Sequence, residues 1–94
     1  MRELRWNLEK NEWLKRERNV SFEDVVVAIN SDRLLDEIPH PNTKKYPHQR
    51  IYVVSIRNYA YVVPFVVNEE KIFLKTVIAS RTATKRYLVD KKLK

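Results

Sequence analysis

The sequence contains no glycine and no cysteine. Without glycine, any turn that needs positive φ falls to asparagine or aspartate, the next most tolerant residues. Asn30, Asn58 and Asn68 each stand where one apolar run stops and another begins, which marks them as joints. The same absence excludes a glycine-cradled phosphate loop, and with it nucleotide-dependent enzymes of the P-loop and Rossmann kinds. Without cysteine there is no disulfide framework and no thiolate zinc site. Histidine is scarce too, with 2 in the chain. No carboxylate stands at a ligand spacing that picks itself out beside them, so neither a metal nor another cofactor is expected. No apolar run approaches the roughly 20 residues of a membrane span. The opening Met1-Arg2-Glu3-Leu4-Arg5-Trp6 lacks the apolar stretch of a signal peptide. A cytoplasmic protein with no membrane partner is the expectation.

Acidic residues are outnumbered, with Asp+Glu at 12 against Lys+Arg at 19, for a net charge of +7 and a pI near 9.8. That balance suits acidic partners: nucleic acid, an acidic protein or an anionic surface. A chain of 94 residues supports one domain, residues 1–94, with one modest core. At 44% hydrophobic and 33% charged it is globular rather than disordered, and 11% aromatic content helps so small a core.

Residues 6–18 place Trp6, Leu8, Trp13 and Leu14 among charged neighbours and read as a first helix. Asn7 can cap it, Glu12 and Arg16 form an i,i+4 pair, and Lys15-Arg16-Glu17-Arg18 is a solvated face. Ser21 then fits an N-cap, with Asp24 at the third helical position and Val20 and Val25 at the staple positions. Phe22, Val25, Val26 and Ile29 give this second helix one buried face, and it should stop near Asn30-Ser31.

Leu34-Leu35-Asp36-Glu37-Ile38 reads as a short strand closed by Pro39. A proline-stiffened loop follows, from His40 to Arg50. Residues 51–56 and 59–67 read as strands joined by a two-residue hairpin at Arg57-Asn58. Pro64 cannot donate to a ladder, so it implies an edge or a bulge. After a turn at Asn68-Glu69-Glu70, residues 71–79 read as a third long strand. Alternation along it puts Ile72, Leu74, Thr76 and Ile78 on one face and Phe73, Lys75 and Val77 on the other. A basic helix begins at Ser80 or Thr82, turns Ala83 and Leu88 toward the sheet, and ends among Lys91, Lys92 and Lys94. The expected fold is therefore α+β: two N-terminal helices, a four-stranded sheet built from a short strand and an antiparallel three-stranded meander, and a C-terminal helix.

Chemistry concentrates in two stretches. The first is the strand that runs into the basic helix. Lys75 is a mid-strand cation suited to a cleft floor, and Arg81, Thr84 and Tyr87 step by three along the helix, with Lys85 beside them. The second is the 40–50 loop, where Lys44, Lys45, Tyr46 and Arg50 suit contact with phosphate or a base, and where His40 and His48 both lie. A solvated connection is the alternative reading of that loop.

Three motifs, in order, resemble a known family. Trp6-Asn7-Leu8-Glu9-Lys10-Asn11 is similar to an opening Trp-Asp-x-x-Lys pattern. Val20-Ser21-Phe22-Glu23-Asp24-Val25 is similar to Val-Ser-Phe-Glu-Glu-Ala. Ile78-Ala79-Ser80-Arg81-Thr82-Ala83-Thr84, then Tyr87, is similar to Ile-Ile-Ser-Ala-Arg-x-Ala-Thr…Tyr. Together, from Trp6 to Tyr87, they resemble the BrnT toxins of type II toxin–antitoxin systems, which share the RelE/ParE-like fold. The resemblance implies a ribonuclease that arrests translation and growth. It also implies a cognate partner, a BrnA-like DNA-binding antitoxin encoded in the same operon, and a dimer or larger toxin–antitoxin assembly. Two departures stand out. Ser and Ala are exchanged at Ala79-Ser80-Arg81, and the usual glutamate between Thr and Tyr is missing, with Lys85-Arg86 in its place.

Metal-independent RNA cleavage needs the 2′-OH deprotonated, the phosphate charge stabilised and the 5′-oxygen protonated. Arg81 and Lys75 are placed to meet the phosphate. Tyr87 stacks a base or transfers a proton, and His40 or His48 supplies the acid or base. The alternative is a non-catalytic basic module of the same fold that docks an acidic protein or nucleic acid. A DNA-binding regulator is a poorer fit, because the cations are spread over every element rather than gathered on one recognition helix.

Overall fold

A computed structural model gives the fold for residues 3–89; Lys91, Lys92 and Lys94 lie outside the described residues. The chain runs β1 (Glu3–Arg5), α1 (Leu8–Arg18), α2 (Phe22–Asn30), β2 (Leu34–Pro39), β3 (Gln49–Ile56), β4 (Tyr59–Val67), β5 (Lys71–Leu74), β6 (Ile78–Ala79) and α3 (Arg81–Thr84), which continues as a wider π-helical turn over Lys85–Val89. The fold is α+β as expected, but the sheet is not four-stranded. Six strands take part, in the order β1-β5-β4-β3-β2, with β6 beside β4.

Two features enlarge the sheet. The first is β1, which pairs in parallel with β5 by setting Leu4 opposite Ile72 and Arg5 opposite Phe73. The second is a break in the strand expected over 71–79. Phe65 stands opposite Leu74, yet Val62 stands opposite Ile78, so one extra residue enters between β5 and β6. Pro64 accounts for it. Its carbonyl accepts from the Lys75 N–H at 2.8 Å, but it has no N–H to offer the Lys75 carbonyl in return. The ladder opens there into a bulge. The extra residue also reverses the alternation. Leu74 and Val77 are both fully buried, while Ile78, expected to share the face of Leu74, is 41% exposed.

The helices follow local chemistry. Asn7 caps α1 by accepting from Lys10 N–H at 2.8 Å. Ser21 and Asp24 form a complete capping box on α2, with the side chain of each accepting from the backbone N–H of the other. Along α1, Leu14 is buried while Leu8 is 75% exposed. The Glu12 carboxylate takes Lys15 at 3.2 Å rather than Arg16, which pairs with Glu17. Buried Asn11 ties the two helices together by accepting from Phe22 N–H and donating to Glu23. That donation is the main reason the Glu23 carboxyl is held below its ordinary range.

Positive φ falls at Asn19, Asp32, Arg57 and Asn58. The last two make the expected hairpin turn, with φ of 52° and 65° as a type I′ turn requires. Asn68 instead serves its joint through its side chain, whose Oδ1 accepts from Glu70 N–H and Lys71 N–H. Asn30 is the last residue of α2.

The result is three layers. On one face of the sheet α1 and α2 pack Leu14, Phe22 and Val25 against Val54, Phe65, Leu74 and Val77. Full burial of side chains this size stabilises by about 1.5–3 kcal/mol each. On the other face Ala83, Tyr87 and Leu88 of the C-terminal segment cover Val53 and Ala60. Among the described residues no helix is long and apolar enough to cross a membrane.

Candidate functional site

The helix pair leaves one end of its own sheet face open. There, where β3 begins and β4 ends, lies a cleft of about 550 Å³. Strand alternation supplies its lining, since Glu37 of β2, Arg50 and Tyr52 of β3, Phe65 and Val67 of β4 and Ile72 of β5 share that face. Tyr52 and Phe65 stack with ring centroids 4.0 Å apart and give a stiff aromatic floor. His48 lines the rim, together with Asn68 and Glu69 of the β4–β5 turn. The His48 carbonyl accepts from Val67 N–H at 3.3 Å, which fixes the end of the loop against β4.

Arg50 does not stand alone. Its Nε donates to Glu37 Oε2 at 2.8 Å, and both side chains are close to two-fifths exposed. A pair so placed stabilises the fold little. It does hold the guanidinium by one edge, and a guanidinium has two further NH₂ groups with which to meet an anion.

The rest of the 40–50 loop is folded on itself. His40 N–H donates to the Gln49 carbonyl, Tyr46 N–H to the Asn42 carbonyl, and Gln49 N–H to the Tyr46 carbonyl. Asn42 N–H donates to His40 Nδ1 at 3.0 Å, which leaves Nε2 as the N–H of the neutral ring. The His40 and Tyr46 rings lie 4.6 Å apart, and Lys45 Nζ sits 5.4 Å over Tyr46. Lys44 is exposed beside them.

The strand–helix stretch lies elsewhere. Leu74 points into the helix-pair core, so Lys75, next along the strand, projects from the opposite face, where it is exposed. Arg81 and Lys85 are exposed on the C-terminal segment. The Thr84 hydroxyl is engaged twice, donating to the Ser80 carbonyl and accepting from Ala60 N–H, both at 2.8 Å. Tyr87 donates to Asp36 Oδ2 at 2.7 Å. That bond, helped by burial, raises the phenol above its ordinary value and makes it reluctant to release its proton.

The sequence candidates thus divide by face. His48 and Arg50 share the cleft. Lys75 stands on the other side of the sheet, and Arg81, Thr84, Lys85 and Tyr87 belong to the segment packed on that side. Sequence reasoning missed Glu37, Asn68 and Glu69; Glu37 comes to the face of Arg50 through the β2–β3 register, which sets it opposite Tyr52. Among the described residues, no three His, Cys, Asp or Glu side chains gather as a metal site requires. No family model, curated protein or solved structure matches the chain. The family resemblance therefore rests on the three motifs of the sequence itself.

Proposed function

We propose that the chain is the toxin of a type II toxin–antitoxin pair, of the BrnT kind and RelE/ParE-like fold. It is a metal-independent ribonuclease that arrests translation and growth and is neutralised by a cognate DNA-binding antitoxin. What supports the fold is the retained order of helix pair, short strand, antiparallel meander and terminal helix. The observation that carries the chemistry is that His48 and Arg50 line one open cleft.

Their roles follow from residue type. The RNA 2′-OH gives its proton to His48, and the 2′-oxygen forms a new bond to phosphorus. Charge that builds on the phosphate oxygens meets the Arg50 guanidinium, which Glu37 holds in place. The bond to the 5′-oxygen breaks, that oxygen takes a proton from water, and a 2′,3′-cyclic phosphate remains. Only RNA has the nucleophile.

A second reading, a non-catalytic module docking an acidic protein or nucleic acid, draws on the opposite face. Exposed Lys75 stands there beside Phe73, which is 40% exposed. The two readings separate when the purified chain is incubated with radiolabelled RNA in EDTA. Cleavage to cyclic-phosphate ends is expected. Intact RNA, with tight binding to an acidic partner, overturns the nuclease reading.

A further inference from the structure

The sheet face away from the helix pair is only half covered. The C-terminal segment packs on Val53 and Ala60, at the hairpin end of that face. Toward the other end, the register sets Arg5 of β1, Phe73 of β5 and Val66 of β4 side by side. Phe73 belongs to neither apolar cluster and is 40% exposed, while Val66 is half-buried. Leu74 is fully buried on the helix side, so Lys71, Phe73 and Lys75 emerge together on this one. Lys75 keeps the spacing beyond the end of β5, because its N–H still donates to the Pro64 carbonyl at 2.8 Å. The two lysines leave the backbone about 13 Å apart, with Phe73 midway between them.

Their charge is not cancelled. Both lysines are exposed. Glu3 stands opposite Lys71 but pairs with Arg5 at 2.9 Å. Among the described residues no carboxylate lies within ion-pair distance of Lys71 or Lys75. An exposed ring between two uncompensated cations on one strand face suits a single-stranded nucleic acid, whose bases stack on the ring while its phosphates meet the lysines. A duplex keeps its bases stacked on one another and leaves the ring without a partner. An acidic protein fits less well. Val66, Pro64 and Ile51 beside Phe73 are half-buried, so this end lacks the broad apolar centre of a protein interface.

We propose that this face is a second RNA contact, separate from the cleft: Phe73 stacks an unpaired base, and Lys71 and Lys75 hold the phosphates on either side. The inference goes beyond the cleft chemistry and shares with it only RNA as the ligand. The surface selects single strands without reading sequence, because every base has a face to stack.

The test is fluorescence anisotropy of the full chain with a labelled 2′-O-methyl RNA, which lacks the nucleophile and is not cleaved. It is offered as a single strand and as a duplex with its complement, and polyglutamate stands in for an acidic protein. The single strand should bind tighter than the duplex. Phe73→Leu keeps apolar bulk but removes the ring. It should weaken single-strand binding about tenfold and leave duplex and polyglutamate binding unchanged, and Phe73→Trp should restore the loss. Lys71→Gln and Lys75→Gln should each flatten the salt dependence by about one charge. Circular dichroism checks that each variant is folded. Single-strand affinity unmoved by Phe73→Leu overturns the stacking surface. A loss shared equally by polyglutamate also overturns it and gives the face to an acidic protein. The two readings fail separately. Unmodified RNA left intact by a chain that binds single strands through Phe73 removes the nuclease and keeps this surface. RNA cut by a chain whose binding ignores Phe73 does the reverse.

Discussion

The Tyr87 hydroxyl donates to Asp36 Oδ2 at 2.7 Å, across 51 positions of chain. This one bond ties the C-terminal segment to the edge strand β2. It also gives Tyr87 a structural task and raises its phenol, and the proposed proton transfer is assigned to His48 in the cleft on the other face.

Tyr87→Phe should lower stability by about 1 kcal/mol while leaving RNA cleavage intact. The pH dependence has a definite sign. The folded-state pKa lies above the ordinary tyrosine value of 10.0, so the contribution is complete below that pH and is lost as pH rises through the folded value. Urea unfolding at neutral and alkaline pH should show the wild type losing more stability than Tyr87→Phe at the alkaline end. Parallel losses contradict the bond.

The capping box gives a second stability test. Ser21→Ala removes the side chain that accepts from Asp24 N–H at the start of α2 and should cost about 1 kcal/mol, read as a lower urea midpoint with an unchanged slope.

The bulge at 75–77 separates two neighbouring residues. Val77 is fully buried and Ile78 is 41% exposed. Val77→Asp should prevent folding, since it buries an unpaired charge. Ile78→Lys should stay within about 0.5 kcal/mol of the wild type. Circular dichroism during thermal melting checks both, and the reverse ranking indicates an unbroken strand.

Cations on the two faces should behave differently. Arg50→Ala should reduce the cleavage rate by about 10²–10³-fold, the usual effect of removing a group aimed at developing charge. Lys75→Ala and Arg81→Ala, on the far side, should weaken RNA binding and flatten its salt dependence by about one charge each, with the rate at saturating RNA little changed. Rates and salt slopes measured on one labelled RNA decide the matter. A collapse of the saturated rate in Arg81→Ala returns the chemistry to the strand–helix corner.

The parts of the fold that were legible in sequence are those set by near neighbours. Ser21 and Asp24 announce a helix start within four residues, and Arg57-Asn58 announce a hairpin within two, because both devices are local. The β1–β5 pairing was not legible, since three residues with a single apolar side chain carry no period. Pro64 was legible as a disturbance, but the damage falls on the opposite strand, where it turns Val77 inward and Ile78 outward. The candidate site was half legible. Residue type singled out His48 and Arg50, whereas Glu37, Asn68 and Glu69 reach them only through the register of the strands. Tyr87 was chosen for its type, and its bond to Asp36 is one that no local pattern could name.

The most direct measurement is the rate of RNA cleavage in EDTA by His48→Ala beside the wild type. If His48 takes the 2′-OH proton in the cleft, the rate falls by about 10²–10⁴-fold with RNA affinity kept. An unchanged rate in a folded His48→Ala protein contradicts that assignment, and with it the placing of the chemistry in the cleft.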